Sequence, residues 1–472
     1  MTPAQARLVQ EAREIGGARA VVTDRDALQP WLTDWRGRYR GEAPALLQPA
    51  STVEVATILR AAAREGVPLV AQGGNTSMVG GATPPADGRA LLLSLRRMNR
   101  LRSISAQDGL AVAEAGVILA DLHAAAGGVG MRFPLTLGAR GSATIGGLAS
   151  TNAGGTQVLR WGTMKALVAG VEAVLADGQV HDGLQPLKKD NRGPDLNALF
   201  LGAEGTLGVI TAVALRLVPA IAARAVAWLG VDDPARALAL LRWLAARTHA
   251  IESFEIIPGD SLALVLRHIP GTRAPLAKAH RWHVLVEAVS GDIDAEPPAA
   301  LLEQLLAEAA DHFDDATIAA SEAQAEAFWR LRDSLSEAER AGGPAAQHDI
   351  SVPVADMPRF MVEGAAAVEA RFPGTHATAF GHLGDGNVHL HVRAPAGVEP
   401  ARWYADAVPA ISGFVHDLVV AAGGSISAEH GIGQMKRDEL ARLGPPSRLA
   451  MLRALKAAMD PQGLLNPGKL IV

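Results

Sequence analysis

Short apolar runs alternate with glycine clusters along the first half of the chain, and apolar positions recur at helical spacing along much of the second. "STVEVATILRAAAREG" places Ser51 and Glu54 ahead of an amphipathic run that stops at Gly66. This predicts a helix with a capping box at its start and glycine at its end. "VPLVA" reads as a short buried strand that empties into "QGGNTSMVGG". "ALLLSLRRMNRL" and "LAVAEAGVIL" alternate or run apolar as strands do, and "LADLHAAAG" predicts a short helix closed by glycine. A loop-rich tract of thirty residues follows, "FPLTLGARGSATIGGLASTNAGGTQVLRWG". "VAGVEAVLADGQV" predicts a hairpin turning at Asp177 and Gly178. "LFLGAEGTLGVITAVALRLVP" adds another glycine loop and a long strand.

Near Pro219 glycine becomes rarer and alanine–leucine helices take over, as in "PARALALLRWLAART" and "PAALLEQLLAEAADHF". Strand candidates "HVLVEAV" and "GNVHLHV" lie between them. This shift predicts residues 1–219 as one domain, 220–445 as a second, and 446–472 as a helix with a proline–glycine tail. No period of about 20–50 residues repeats, which excludes a solenoid or propeller.

Composition narrows the choice. The 472 residues exceed one compact core, and 49% hydrophobic with 20% charged residues fits an ordinary globular protein. A net charge of −5 gives no electrostatic case for nucleic acid or an anionic membrane, so an anionic substrate needs local cations. The absence of cysteine excludes disulfides, iron–sulfur clusters, thiolate zinc sites and a cysteine nucleophile. Any metal must then be held by His, Asp and Glu. "MTPAQARLVQEAREIGGARAV" lacks an apolar signal core, and no run of about eighteen apolar residues occurs. A cytoplasmic protein without a membrane span is the expectation.

Three glycine loops, Gly73–Gly81, Gly138–Gly155 and Gly202–Gly208, are separated by strands. The middle one interleaves its glycines with Ser142, Thr144, Ser150, Thr151 and Asn152. Such density costs backbone entropy and suits a chain that bends sharply or passes close to something. Free N–H groups and small hydroxyls suit a pyrophosphate. Neither the dinucleotide fingerprint G-x-G-x-x-G nor the P-loop is present. One loop alone is balanced between phosphate binding and irregular structure, but three can converge around one extended ligand.

"PLVAQGGNTSMVGGATP", "FPLTLGARGSATIGGLASTNAGG" and "LFLGAEGTLGVIT" resemble the FAD-binding domain of the flavin family typified by vanillyl-alcohol oxidase and p-cresol methylhydroxylase. "FGHLGDGNVHLHV", "SAEHGIG" and "LNPGK" resemble its D-lactate and D-2-hydroxyglutarate dehydrogenase branch. The resemblance implies an α+β fold: a two-subdomain FAD-binding domain, an α+β substrate- and metal-binding cap domain, and a C-terminal segment returning to the flavin. It implies FAD contacts from Gln72, Gly73, Gly74, Asn75, Thr76, Gly80 and Gly81 in the first loop. In the second loop they come from Pro134, Leu135, Gly138, Ser142, Gly146, Gly147, Thr151, Asn152 and Gly155. Glu204, Gly205 and Ile210 belong to the adenosine side, and Asn466 to the tail. Covalent members attach the flavin through histidine or cysteine. "QGGNTS" has neither, so dissociable FAD is expected.

Alternation in "NVHLHV" puts His389 and His391 on one face of a strand and Val388, Leu390 and Val392 on the other. Such a pair can ligate a metal, although strand histidines are more often hydrogen-bonded and inert. His382 lies across two glycines from His389, and Glu429 stands beside His430 in a glycine-flanked turn. Spacing does not choose among His382, His389, His391 and Glu429 as the three ligands of a catalytic metal site. The resemblance implies that His382, His389 and Glu429 hold a divalent metal of the zinc type and that His430 is the general base. It sets His391 where relatives carry a substrate-contacting asparagine.

The implied chemistry is proton abstraction by His430 and hydride transfer from C2 of a D-2-hydroxy acid to the flavin, with the metal acidifying the alcohol. "FWRLRDSLSEAERAGGPAAQHDISVP" resembles the tract that clamps a second carboxylate. Arg332 and Ser336, at i and i+4, predict one helix face, and Arg332 can hold a carboxylate bidentately. Gln347 stands where 2-hydroxyglutarate relatives tend to carry lysine, which removes one charge from the clamp. D-2-hydroxyglutarate is the first expectation, D-lactate or D-malate the second. The expected electron acceptor is an electron-transfer flavoprotein or quinone rather than NAD, and a homodimer is allowed. A flavin oxidase, a flavin-binding module without turnover, and a His/Glu metal-dependent hydrolase with structural glycine loops are the alternatives.

Overall fold

The computed structural model describes residues 1–185, 187 and 189–471. The chain forms two compact units. Met1–Gly155, Trp161–Ala220 and the segment from Glu429 onward make the first; Thr156–Arg160 and Ile221–Ala428 make the second.

In the first unit a four-stranded sheet runs Val21–Val22, Leu46–Leu47, Leu91–Ser94, Leu69–Gln72, the last three strands parallel. Helices Pro3–Gly16 and Thr52–Glu65 bury Leu8, Val55, Ile58 and Leu59 against Leu69, Leu91 and Leu93. The predicted cap is present: the Ser51 hydroxyl accepts from Glu54 N at 3.2 Å, and Gly66 closes the helix at φ 64°. The Glu54 carboxylate takes the N–H of Ala50 at 2.9 Å, one residue earlier than a reciprocal capping box needs. A second, antiparallel sheet runs Leu101–Ser105, Leu110–Glu114, Val209–Arg216, Val168–Val174, Val180–Asp182. Its last pair is the predicted hairpin, with Ala173 opposite His181 and Gly178 at φ 80°.

Two sequence expectations change here. "ALLLSLRRMNRL" is split between the sheets, Leu91–Ser94 in the first and Leu101–Ser105 in the second. The thirty-residue tract is not all loop: Ile145–Thr151 is a helix that ends on Asn152 at φ 51°, and Val158–Trp161 is a helical turn. Gly146 and Gly147 each cost that helix about 1 kcal/mol relative to alanine. Burial of Ile145, Leu148 and Ala149 offsets it.

The second unit is built on one antiparallel sheet of order Asp315–Ile318, Ala223–Val231, Trp282–Ser290, Ile251–Pro258, His376–His382, Asn387–Arg393, Ala345–Ser351. Strand alternation sorts its side chains to two faces. Ala225, Ala227, Leu229, Val388 and Leu390 pack with helices Pro234–Ala245, Pro298–Glu308, Met357–Arg371 and Val408–Ala421. Val226, Trp228, Leu285 and Phe380 pack with helices Gly259–His268, Glu322–Asp333 and Leu335–Ala341. Where the change of texture suggests a domain over 220–445, the compact unit ends at Ala428 and also takes in Thr156–Arg160. Among the described residues no helix is long and apolar enough to cross a membrane.

His283 sits buried in this sheet and accepts the indole N–H of Trp228 at 3.1 Å. Burial, with His280 beside it, pushes its pKa from 6.5 down to about 4. The folded value lies below the unfolded one, so this stabilisation is complete above pH 6.5 and is lost as pH falls toward about 4. We expect urea midpoints to drop between pH 7 and 4.5, with about 3 kcal/mol at stake, and His283→Gln to flatten that drop. An identical pH dependence in the variant would refute the assignment.

Candidate active site

Gln72 ends the strand Leu69–Gln72, and its amide donates to Trp31 O at 3.0 Å and Ala82 O at 2.9 Å. The chain then runs against the second glycine loop. A Cβ on Gly73 would stand 2.2 Å from Thr144 Oγ1, and one on Gly74 2.0 Å from Ser142 O, so only glycine allows this approach. Arg96 holds the outer side, donating to Gly73 O at 3.1 Å and Gly74 O at 3.0 Å. Asn75, at φ 55°, donates its amide to Thr33 O at 2.9 Å, and half-buried Thr76 follows it. Ser77 Oγ accepts from Gly81 N at 3.0 Å and keeps the stretch through Gly80 folded.

In the second loop Pro134 and Leu135 are buried, and Leu135 O is bonded to His123 Nε2 at 2.9 Å. Gly138 and Ser142 are exposed; Gly146 packs on Ala115, and Gly155 on Thr136 O. Thr151 Oγ1 donates to Gly147 O at 3.1 Å. Asn152 Oδ1 accepts from Thr163 Oγ1 and Lys165 N, both at 2.9 Å. Asn466 draws the pieces together: its N–H donates to Leu69 O at 2.8 Å, and its amide to Gly81 O at 3.0 Å and Glu204 O at 2.7 Å. Gly205 continues the third loop at φ 71°, and Ile210 is buried in the strand that follows.

Glu204 is buried, and its two carboxylate oxygens accept the backbone N–H groups of Ile432 and Gly433, each at 2.7 Å. Burial pushes its carboxyl up, against the pull of those N–H groups and of Lys436 and Lys469. Its side chain thus serves the turn after His430. That turn is further tied by Gln434 N and Met435 N donating to Val79 O at 3.1 and 3.2 Å. Glu429 and His430 are half-buried at its start.

The residues of this unit fit a dinucleotide. Gln72 Oε1, Thr144 Oγ1 and Asn466 Oδ1 are buried and make no hydrogen bond among the described residues. A hydroxyl donor suits a phosphate oxygen, and amide oxygens suit ring N–H or ribityl hydroxyl donors. Gly73 and Gly74 present bare backbone beside them.

In the second unit the strand register lines up polar residues. Gln347 faces His391 and His391 faces Thr378; Asp349 faces His389 and His389 faces Phe380; Asn387 faces His382, which faces Glu255. Val388, Leu390 and Val392 point into the opposite core, as the alternation predicts. His382 Nδ1 lies 2.7 Å from Glu255 Oε1, and Arg332 Nη2 2.8 Å from Glu255 Oε2 and 3.2 Å from His382 Nε2. Burial alone would raise the Glu255 carboxyl, but Arg332 and His382 hold it below its usual range. Burial drives the His389 pKa well below 6.5, with His382, Arg332 and His391 adding to the fall and Asp349 opposing it. His389 is therefore a neutral imidazole at neutral pH, with a free lone pair on one ring nitrogen. One ring nitrogen of His382 and one of His389 lie within 4.8 Å of each other. His391 is buried edge-on against Phe380, with ring centroids 5.0 Å apart.

Arg332 and Ser336 do not share a helix. Glu322–Asp333 ends at Ser334, and Ser336 lies exposed in the next helix, Leu335–Ala341. Glu255 is the functional residue that pattern reasoning missed. Its strand, "IESFEIIP", is buried at all eight positions, and an acid in such a run signals a buried partner.

Fold and site together define a class: an α+β flavoprotein with a FAD-binding domain of the p-cresol methylhydroxylase type. The crystal structure of p-cresol methylhydroxylase with substrate bound superposes with a TM-score of 0.75 at 15% identity, covering 100% of this chain and 98% of that one. Residues 43–183 match the FAD binding domain and residues 221–470 the C-terminal domain of FAD linked oxidases. The chain belongs to the FAD-linked oxidase family, and FAD is its cofactor. Mitochondrial D-2-hydroxyglutarate dehydrogenase of Bos taurus is 38% identical over 453 residues, 96% of this chain and 81% of that protein. D-2-hydroxyglutarate dehydrogenase of Xanthomonas citri pv. viticola is 34% identical over 454 residues, 96% of this chain and 94% of that protein.

Removing Glu255 takes away the carboxylate 2.8 Å from Arg332, and the exposed Asp333 lies farther off at 3.8 Å. Breaking such a buried pair costs about 3–5 kcal/mol. We expect Glu255→Gln to lower stability by that amount in urea denaturation, and Arg332→Met added to it to recover most of the loss. A single variant within about 1 kcal/mol of the wild type would show that the pair is not structural.

Proposed function

We propose that this chain oxidises a D-2-hydroxy acid, D-2-hydroxyglutarate first, to its 2-oxo acid, with FAD held non-covalently. The observation that carries this reading is the placement of His430: its turn is bonded to Glu204 and Val79, within the loops of the cofactor unit. The two relatives named D-2-hydroxyglutarate dehydrogenase support the substrate. The first loop, "QGGNTS", offers neither histidine nor cysteine for a covalent link.

FAD, when bound, supplies a two-electron acceptor for the C2 hydrogen. His430 takes the hydroxyl proton on a ring nitrogen, the work of a general base and worth about 10²–10⁴-fold. In the second unit His382 and His389 would be ligands for a divalent metal of the zinc type, which would polarise the alcohol oxygen, with Glu429 the third ligand that the resemblance implies. Glu255 suits this role for His382: accepting the Nδ1 proton fixes the tautomer and leaves Nε2 as the ligand atom. Arg332 Nη2 lies 3.2 Å from that same nitrogen, so metal loading and this Arg332 contact exclude one another. Electrons pass onward to an electron-transfer flavoprotein or quinone.

A second reading is D-lactate. Two observations favour it: Gln347 brings no charge, and Arg332 is already paired with Glu255.

Anaerobic flavin bleaching tests both. D-2-hydroxyglutarate should bleach more efficiently than D-lactate by about ten- to a hundred-fold, the value of one charged hydrogen bond. The L enantiomers should not bleach the flavin; a chelator should slow bleaching and zinc restore it. His430→Ala should stay yellow without bleaching. Equal efficiency with D-lactate would favour the second reading, and a protein that takes up no FAD would defeat both.

A further inference from the structure

Among the described residues the carboxylate oxygens of Glu204 accept from two backbone N–H groups, and both belong to the turn that follows His430. Ile432 N donates to Oε1 and Gly433 N to Oε2, each at 2.7 Å. The carboxylate reaches that turn across 228 and 229 residues of sequence. Glu204 is itself held in place: its backbone sits at φ 52°, its N–H donates to Ser150 O at 2.8 Å, and its O accepts from the Asn466 amide at 2.7 Å. Gly431, between His430 and the bonded pair, has φ 81°, and a Cβ there would stand 2.9 Å from Glu204 Oε1. The turn is therefore pressed against the carboxylate by its own geometry.

We propose that Glu204 is a positioning residue that fixes the His430–Gly433 turn, and thereby aims the imidazole of His430, while leaving FAD binding to the surrounding loops. This rests on the reading of His430 as the base. An amide in place of the carboxylate keeps one acceptor but turns an N–H₂ donor toward a backbone N–H at 2.7 Å. One peptide must then rotate away. A misplacement of about 1 Å can cost roughly 10²-fold in rate.

The experiment compares the FAD-loaded wild type, Glu204→Gln, Gly431→Ala and His430→Ala in flavin content and anaerobic reduction by D-2-hydroxyglutarate. Glu204→Gln and Gly431→Ala should keep wild-type FAD occupancy and flavin spectrum. Their limiting reduction rate per bound flavin should fall by about ten- to a hundred-fold, with half-saturation by substrate moving less than about two-fold, which corresponds to under 1 kcal/mol. Loss of FAD from either variant would overturn the proposal in favour of a cofactor contact. Reduction at the wild-type rate in either variant, with His430→Ala inert, would overturn the proposal alone. Normal reduction in His430→Ala would instead remove the base on which it rests.

Discussion

Three hydrogen bonds from one residue set the geometry of the cofactor unit. Asn466 gives its backbone N–H to Leu69 O, at the start of the strand that leads into the first glycine loop. Its amide donors go to Gly81 O at the end of that loop and to Glu204 O in the third. Aspartate could not replace it, because a carboxylate has no donor to offer two carbonyls. The position also demands φ 44°, a left-handed conformation that asparagine tolerates better than most residues. With the strand, two loops and the tail gathered at one amide, the remaining acceptor, Asn466 Oδ1, is left for something outside the protein. The loops are glycine-rich because backbone must meet backbone there, and the tail is needed because glycine alone cannot hold such a loop still.

The second unit solves a different problem. Its polar row lies on a sheet whose strands are otherwise apolar, so each charge must be matched within reach. Glu255 is the centre: it is ionised because Arg332 and His382 flank it, and it orients both in turn. His389 is kept neutral by the same burial that would penalise its charge. One unit thus prepares its chemistry with backbone bends, the other with protonation states fixed by burial. A buried pair such as Glu255 with Arg332 adds little net stability over an apolar pair of the same shape. What it does secure here is the ring orientation of His382.

Much of this was legible in the residues. The Ser51 cap, the Asp177–Gly178 hairpin, the three glycine loops and the alternation of "NVHLHV" rest on local rules, and local rules survive folding. The helix Ile145–Thr151 escaped because two of its seven residues are glycine, and only tertiary burial makes it stable. The Arg332–Ser336 face failed because helical spacing says nothing of a cap at Ser334. Glu255 and the bond from Glu204 to Ile432 and Gly433 join residues far apart in sequence, so no window of the chain contains them. The resemblance implies a cofactor role for Glu204, and a motif match locates backbone without giving the aim of a side chain.

The charge on the second unit's polar row constrains any reading of its substrate. Arg332 is already taken by Glu255 at 2.8 Å; Asp349 and Asp385 add further acids nearby, and burial keeps His389 neutral. With Arg332 so paired, the row offers a second carboxylate little net attraction. A divalent cation on His382 and His389 would reverse this balance, and by taking the lone pair of His382 Nε2 it would also end the contact that Arg332 makes there. On the proposed reading the metal therefore does more than polarise an alcohol. It would add positive charge where a hydroxy acid must bind, which ties substrate affinity, and not only turnover, to metal occupancy.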